Sequence, residues 1–226
     1  MGNISLTLNG APVSAPQGMT ILEVARENGI DIPTMCYLKD LAPSGSCRLC
    51  VVEVEGSRTL VGSCHTPVTP GMVIQTHSPK VLEVRRVLIE LMMASHPDSC
   101  IVCEAANCCE LRMRATDLEV GMSRFRTRMH YFPVEDENPN IIRDMSKCIL
   151  CRRCVSACYN IEGKKMFSLA YRGFETKVIY DLDKPIGSQE TCRDCKTCIS
   201  LCPTGALRLP MKFGQAKKGP VLYVKG

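Results

Sequence analysis

Residues 148–158 read Cys-Ile-Leu-Cys-Arg-Arg-Cys-Val-Ser-Ala-Cys, and residues 192–202 read Cys-Arg-Asp-Cys-Lys-Thr-Cys-Ile-Ser-Leu-Cys. The spacing Cys-x2-Cys-x2-Cys-x3-Cys thus occurs twice. Upstream lie two more groups, Cys36, Cys47, Cys50 and Cys64, then Cys100, Cys103 and Cys109 preceded by His96. Fifteen of the 16 cysteines and this histidine fill four groups of four, and Cys108 is left over. Thiols so spaced serve disulfides, zinc or iron–sulfur clusters. The start, Met1-Gly2-Asn3-Ile4-Ser5-Leu6, has neither the basic nor the apolar region of an export signal, so disulfides are not expected. The longest apolar run, Val87 to Ala94, contains Glu90 and is too short to span a bilayer. The expectation is a cytoplasmic chain with no membrane span, whose reduced thiols bind metal.

The repeated motif is the two-[4Fe–4S] bacterial ferredoxin signature, in which the fourth cysteine of each copy serves the other cluster. One expected ligand set is Cys148, Cys151, Cys154 and Cys202; the other is Cys192, Cys195, Cys198 and Cys158. Pro203 follows Cys202 as the motif expects, whereas Tyr159 follows Cys158. Between the copies, Arg172-Gly173-Phe174 and the alternating Thr176, Val178 and Tyr180 predict an inserted hairpin. This domain is expected over residues 143–210.

At the other end, Ile4, Leu6 and Leu8 alternate with polar residues, Asn9-Gly10 signals a tight turn, and Val13 begins a return strand. Thr20 with Glu23 forms a capping box, Ile21, Leu22 and Ala25 give an apolar helix face, and Gly29 stops the helix. A loop rich in small residues, Pro43 to Cys50, follows; Val51, Val52 and Val54 then read as a strand carrying on to Cys64. Strand, turn, strand, helix and cysteine loop is the order of a plant-type [2Fe–2S] ferredoxin (β-grasp) domain, expected over residues 1–78. The spacing Cys-x10-Cys-x2-Cys-x13-Cys departs from the plant-type form in its longer first interval. It resembles the N-terminal [2Fe–2S] domain of respiratory complex I's large iron–sulfur subunit and of iron-only hydrogenases.

Ser78 and Pro79 are set to start an amphipathic helix carrying Leu82, Arg85, Arg86, Leu88, Ile89, Met92 and Met93, ended at His96-Pro97. His96-x3-Cys100-x2-Cys103-x5-Cys109 is similar to the His-ligated [4Fe–4S] pattern of the same two families. That resemblance implies His96, Cys100, Cys103 and Cys109 as ligands in a helical segment over residues 79–118, with Cys108 a free or buried thiol. Residues 119–142, marked by Pro133, Pro139 and Glu135-Asp136-Glu137, read as a connector wrapped over the surface, where His130 is not a ligand. Residues 211–226 read as a tail that docks on a partner.

The fold class expected is α+β, with one [2Fe–2S] and three [4Fe–4S] clusters. Aromatic residues are 5% of the chain and Trp is absent, so metal centres would replace part of the core, and the apo chain should be largely unfolded. The formal charge is +5, but fifteen ligating thiolates and four oxidised cores of about +2 each bring the loaded chain to about −2. Arg112, Arg114, Arg124, Arg126 and Arg128 are therefore read as counter-charge or solvated face, with no nucleic-acid site. No Gly-x-Gly-x-x-Gly or phosphate loop is present, and no catalytic residue is assigned.

The whole arrangement to about residue 210 resembles the N-terminal part of iron-only hydrogenases and the small diaphorase subunit of soluble NAD-reducing hydrogenases and related formate dehydrogenases. The resemblance implies an electron-transfer subunit in a hetero-oligomer. Its partners would be a flavin (FMN) NAD(P)H dehydrogenase subunit and a catalytic hydrogenase or formate dehydrogenase subunit. A freestanding polyferredoxin and a zinc-stabilised scaffold are the alternatives.

Overall fold

A computed structural model describes residues 2–97, 100–127, 129–186, 192 and 195–210. Strand β1 (Asn3–Leu8) and strand β2 (Ala11–Pro16) form an antiparallel hairpin in register Leu8↔Ala11. Its turn residues Asn9 (φ +51°) and Gly10 (φ +84°) both adopt the left-handed conformation that such two-residue turns require. Helix α1 (Ile21–Glu27) starts on the expected capping box. Thr20 Oγ1 accepts the Glu23 N–H at 3.3 Å, and Glu23 Oε2 accepts the Thr20 N–H at 2.7 Å. Ile21 and Leu22 pack with Leu6, Leu8 and Ile74 in the first core, which also includes Cys50 and Cys64.

After the cysteine loop, strand β3 (Val51–Val54) does not run on to Cys64; the chain turns and returns as β4 (Val61–Gly62). Strand β5 (Val73–Gln75) then joins the two hairpins, parallel to β1 and antiparallel to β3, giving the mixed order β2-β1-β5-β3-β4. Helix α2 (Pro79–Ala94) is capped by Ser78, whose Oγ accepts the Val81 N–H at 3.3 Å. Its inner face carries Val81, Ile89 and the buried Arg85, whose Nη2 donates to the Val51 carbonyl at 2.8 Å and ties α2 to β3.

Helix α3 (Glu110–Asp117) lies against α2. The stretch read as a surface connector is only partly on the surface, since Asn138 and Ile141 are buried. The Asn138 side chain accepts the Asn140 and Ile141 N–H groups and donates to the Ile186 carbonyl, so a polar residue closes an internal turn there. Beyond it come β6 (Ile142–Arg143), helix α4 (Arg153–Ser156) running into a π-helical turn (Ala157–Ile161), the expected hairpin β7 (Phe167–Ala170) and β8 (Lys177–Tyr180), helix α5 (Thr197–Ser200), and β9 (Leu207–Arg208). Strand β9 returns to pair with β6, closing this region around both cysteine motifs. The molecule is α+β. The expected tail over 211–226 and Arg128 lie outside the described residues.

Candidate cluster-binding sites

Arg48, Leu150 and Arg152, each lying between cysteines of a Cys-x2-Cys step, have φ of +56°, +55° and +64°. L-residues pay for this conformation, and it persists here where it curls successive N–H groups toward the sulfurs. The Leu150 N–H donates to Cys148 Sγ at 3.4 Å, and the Leu207 N–H to Cys202 Sγ at 3.4 Å. The Met166 N–H donates to Cys158 Sγ at 3.2 Å. All described cysteines are free thiols.

In the first module Cys36, Cys47, Cys50 and Cys64 are all buried. Cys47 holds the Cys36 thiol well below its ordinary range by donating a hydrogen bond to it, and Cys64 does the same to Cys50. Each donor is pushed up by that bond, then by burial and by neighbouring thiolates. Cys64 senses Cys50, Cys36 and Cys47 together, so the four sulfurs share one site.

In the middle segment burial pushes the Cys109 thiol up, opposed by the Arg112 and Leu111 N–H groups and reinforced by Cys103 and Cys100. Cys108 points elsewhere: it is exposed, and its thiol donates to the Ala105 carbonyl at 3.5 Å. His96 is buried at the end of α2, with Nδ1 3.2 Å from the Pro97 carbonyl oxygen.

In the last region Cys148, Cys151, Cys154 and Cys202 line one cavity, walled mainly by apolar groups such as Phe167, Val178 and Leu207, with Arg152 and Thr204 also on its lining. Burial pushes Cys148 up to about 12 and Cys151 to about 11. Cys154 is raised by burial, then by Cys148, Cys151 and Cys202, and after them by Cys198. Cys198 is pushed up to about 12 by burial, then by Cys195, Cys192 and Cys158. Cys202 thus shares a cavity with the first three cysteines of the other motif, and Cys158 acts on Cys198 alongside Cys195, Cys192 and Cys202. Among the described residues no three His, Cys, Asp or Glu side chains converge closely enough to hold a single ion. Reduced thiols gathered in groups, buried in the first module, partly buried in the last and exposed at Cys100, with N–H donors on several of them, fit polynuclear iron–sulfur clusters, whose sulfurs accept hydrogen bonds.

Several contacts were not foreseen from the sequence. Tyr180, fully buried, has its hydroxyl 3.3 Å from Cys192 Sγ, and burial followed by that bond pushes its phenol up. Arg153 is clamped by Glu110 at 2.5 and 2.9 Å, directly after Cys109. Ser46 Oγ lies 3.5 Å from the Cys151 carbonyl, and Cys36, Cys47, Cys109 and Cys151 share one buried cluster. No short-range pattern announces these pairings, because the hydrogen-bonded partners lie from 12 to 105 residues apart. The basic residues act as expected counter-charge in two places: Arg114 pairs with Asp31 at 2.9 Å, and Arg124 with Glu90 at 3.0 Å.

Three family profiles match the chain in succession. They are a 2Fe-2S iron–sulfur cluster binding domain over residues 2–79, the iron–sulfur binding region of NADH-ubiquinone oxidoreductase G over 85–124, and the ferredoxin-like domain of NADH-quinone oxidoreductase subunit 3 over 138–208. The NADP-reducing hydrogenase subunit HndD of Solidesulfovibrio fructosivorans is 41% identical over 92% of this chain, which spans 36% of that protein's length. The HoxS gamma subunit of the NAD-reducing hydrogenase of Cupriavidus necator is 30% identical, over 91% of this chain and 86% of its own length. A chain in the crystal structure of an NAD+-reducing [NiFe]-hydrogenase in the H2-reduced state superposes with a TM-score of 0.84 at 28% identity, over 96% of this chain and 91% of that one. With its sulfurs gathered in this way and its relatives drawn from these assemblies, the chain belongs to the family of iron–sulfur electron-transfer subunits of NAD(P)-linked hydrogenase and NADH dehydrogenase-type complexes.

Proposed function

We propose that this chain relays single electrons between a flavin-bearing NAD(P)H dehydrogenase subunit and a catalytic subunit of hydrogenase or formate dehydrogenase type, in a cytoplasmic hetero-oligomer. One [2Fe–2S] cluster would be held by Cys36, Cys47, Cys50 and Cys64 in a plant-type ferredoxin (β-grasp) domain over residues 1–78. Three [4Fe–4S] clusters would follow. The first takes His96, Cys100, Cys103 and Cys109 in the segment 79–118. The others, within 143–210, take Cys148, Cys151, Cys154 and Cys202, and Cys192, Cys195, Cys198 and Cys158. When bound, such clusters accept and return one electron at a time.

The observation that carries the reading is the cavity that Cys202 shares with Cys148, Cys151 and Cys154 of the other motif, a crossing that a two-cluster ferredoxin needs and a string of separate zinc knuckles does not. The chain's own contribution is to bury the sulfurs, aim N–H donors at them and hold the sites adjacent. His96 would supply a neutral ligand where the other sites use thiolates, leaving its cluster one negative charge lighter. Among the described residues no helix is long and apolar enough to cross a membrane.

Iron and zinc analysis of anaerobically purified protein tests the assignment. About 14 iron atoms per chain are expected from one two-iron and three four-iron clusters. Fewer than about 10 in a fully reconstituted sample, or stoichiometric zinc, overturns it. Isolation from cells as part of an assembly containing a flavoprotein supports the partner reading, whereas a fully loaded free monomer points instead to a diffusing shuttle.

A further inference from the structure

The hairpin β7–β8 lies between the two cysteine motifs, and its two buried rings face different sites. Phe167 and Tyr180 are paired directly across the strands and meet edge to face at 5.4 Å between centroids. Phe167 walls the cavity lined by Cys148, Cys151, Cys154 and Cys202. Tyr180 turns its hydroxyl to Cys192 Sγ at 3.3 Å, and among the described residues this is the hydroxyl's one polar partner. Tyr180 is fully buried, so water cannot replace that bond. A sulfur bound to iron has no proton to give, so the phenol is the donor. The other sulfur contacts in this region come from backbone N–H groups at Cys148, Cys158 and Cys202, and from the Cys195–Thr197 pair at a longer 3.9 Å.

We propose that Tyr180 sets apart the two clusters of the repeated motif. Its buried phenol donates to Cys192 and raises the potential of that cluster alone, while its strand partner Phe167 offers the neighbouring cavity a ring with no donor. The physical basis is that reduction adds negative charge to the cluster sulfurs, so an O–H aimed at one of them stabilises the reduced state more than the oxidised one. Tyr180 is thus a positioning residue: it touches a ligand rather than iron, and its effect is on driving force. The inference rests on the reading of Cys192 as a ligand.

Two substitutions of opposite sign test it on the full reconstituted chain. Tyr180→Phe keeps the ring and removes the donor, so the midpoint potential of one [4Fe–4S] cluster should fall while the other three stay fixed and iron content is unchanged. Replacing Tyr180 by 3-fluorotyrosine keeps the shape and strengthens the donor, so the same potential should rise. Redox titration followed by electron paramagnetic resonance reads both. Potentials unmoved in both variants, or moved in the same direction, overturn the proposal, because a packing role has no reason to track donor strength. If Tyr180→Phe fails to retain the cluster, the fluorinated protein decides alone, a rise supporting the proposal and no change refuting it. Cys192→Ala checks the underlying assignment separately: four intact cluster signals in that variant would refute the ligand reading itself.

Discussion

Neighbouring thiols at positions 108 and 109 have opposite surroundings. Cys109 is buried beside Cys103 and Cys100 and receives N–H groups from the first turn of α3, whereas Cys108 is exposed and spends its proton on the Ala105 carbonyl. Cys109→Ser should therefore remove or convert only the cluster assigned to His96, Cys100 and Cys103, and Cys108→Ser should leave the spectrum of the reduced protein as it was. The reverse pattern in electron paramagnetic resonance would reassign the ligand. The resemblance to the His-ligated pattern already favoured Cys109, because that pattern separates the last ligand from Cys103 by five residues. Arg85 and Tyr180 were not readable in the same way. Arg85 falls on the same helix face as the buried Val81 and Ile89, a place for an apolar residue; it is 1% exposed because the Val51 carbonyl waits opposite it, and only the tertiary fold creates that acceptor. Tyr180 read as an ordinary strand residue, since nothing near it in sequence reveals that Cys192 will stand over its hydroxyl.

Elements whose chemistry closes within one turn were legible from the start. The Thr20–Glu23 box, the Ser78 cap with Pro79 behind it, and the Asn9-Gly10 turn each join residues no more than three apart, and each stands as expected. The docking of one element on another was not legible. The segment carrying Cys100 to Cys109 is fastened to the last region by Glu104–Arg208 at 2.6 Å, by Glu110–Arg153, and by the Glu110 N–H on the Pro203 carbonyl at 2.8 Å. Gly205 makes the close approach possible: its φ is +73°, and a Cβ there would collide with that of Ala105. Gly205→Ala should cost about 1–3 kcal/mol through strain and overpacking. It should lower the unfolding temperature of the loaded protein, and adding Ala105→Gly should restore part of the loss. Thermal unfolding of the two variants measures this; a single variant as stable as the parent would mean that the segments do not meet there.

Across the whole molecule the order of strands in space differs from their order along the chain. The central strand of the five-stranded sheet, β5, is the last of the five to appear in sequence. Without it the hairpins β1–β2 and β3–β4 have no hydrogen-bonded connection. All four thiols of the first site, Cys36 to Cys64, lie between β1 and β5. A ribosome adds about 5–20 residues per second, so these thiols are made, and begin to leave the exit tunnel, from about half a second (Cys64) to several seconds (Cys36) before the strand that joins the two hairpins. The newborn domain should therefore pass through an open interval in which its thiols are accessible to reagents in solution. A chain arrested on the ribosome before Val73 has emerged should have all four thiols open to alkylation, and one arrested well beyond Gln75 should protect them. Equal labelling in both would mean that the sheet does not govern access. With these thiols as the proposed cluster ligands, the late arrival of one three-residue strand would set when during synthesis the site can close around its metal.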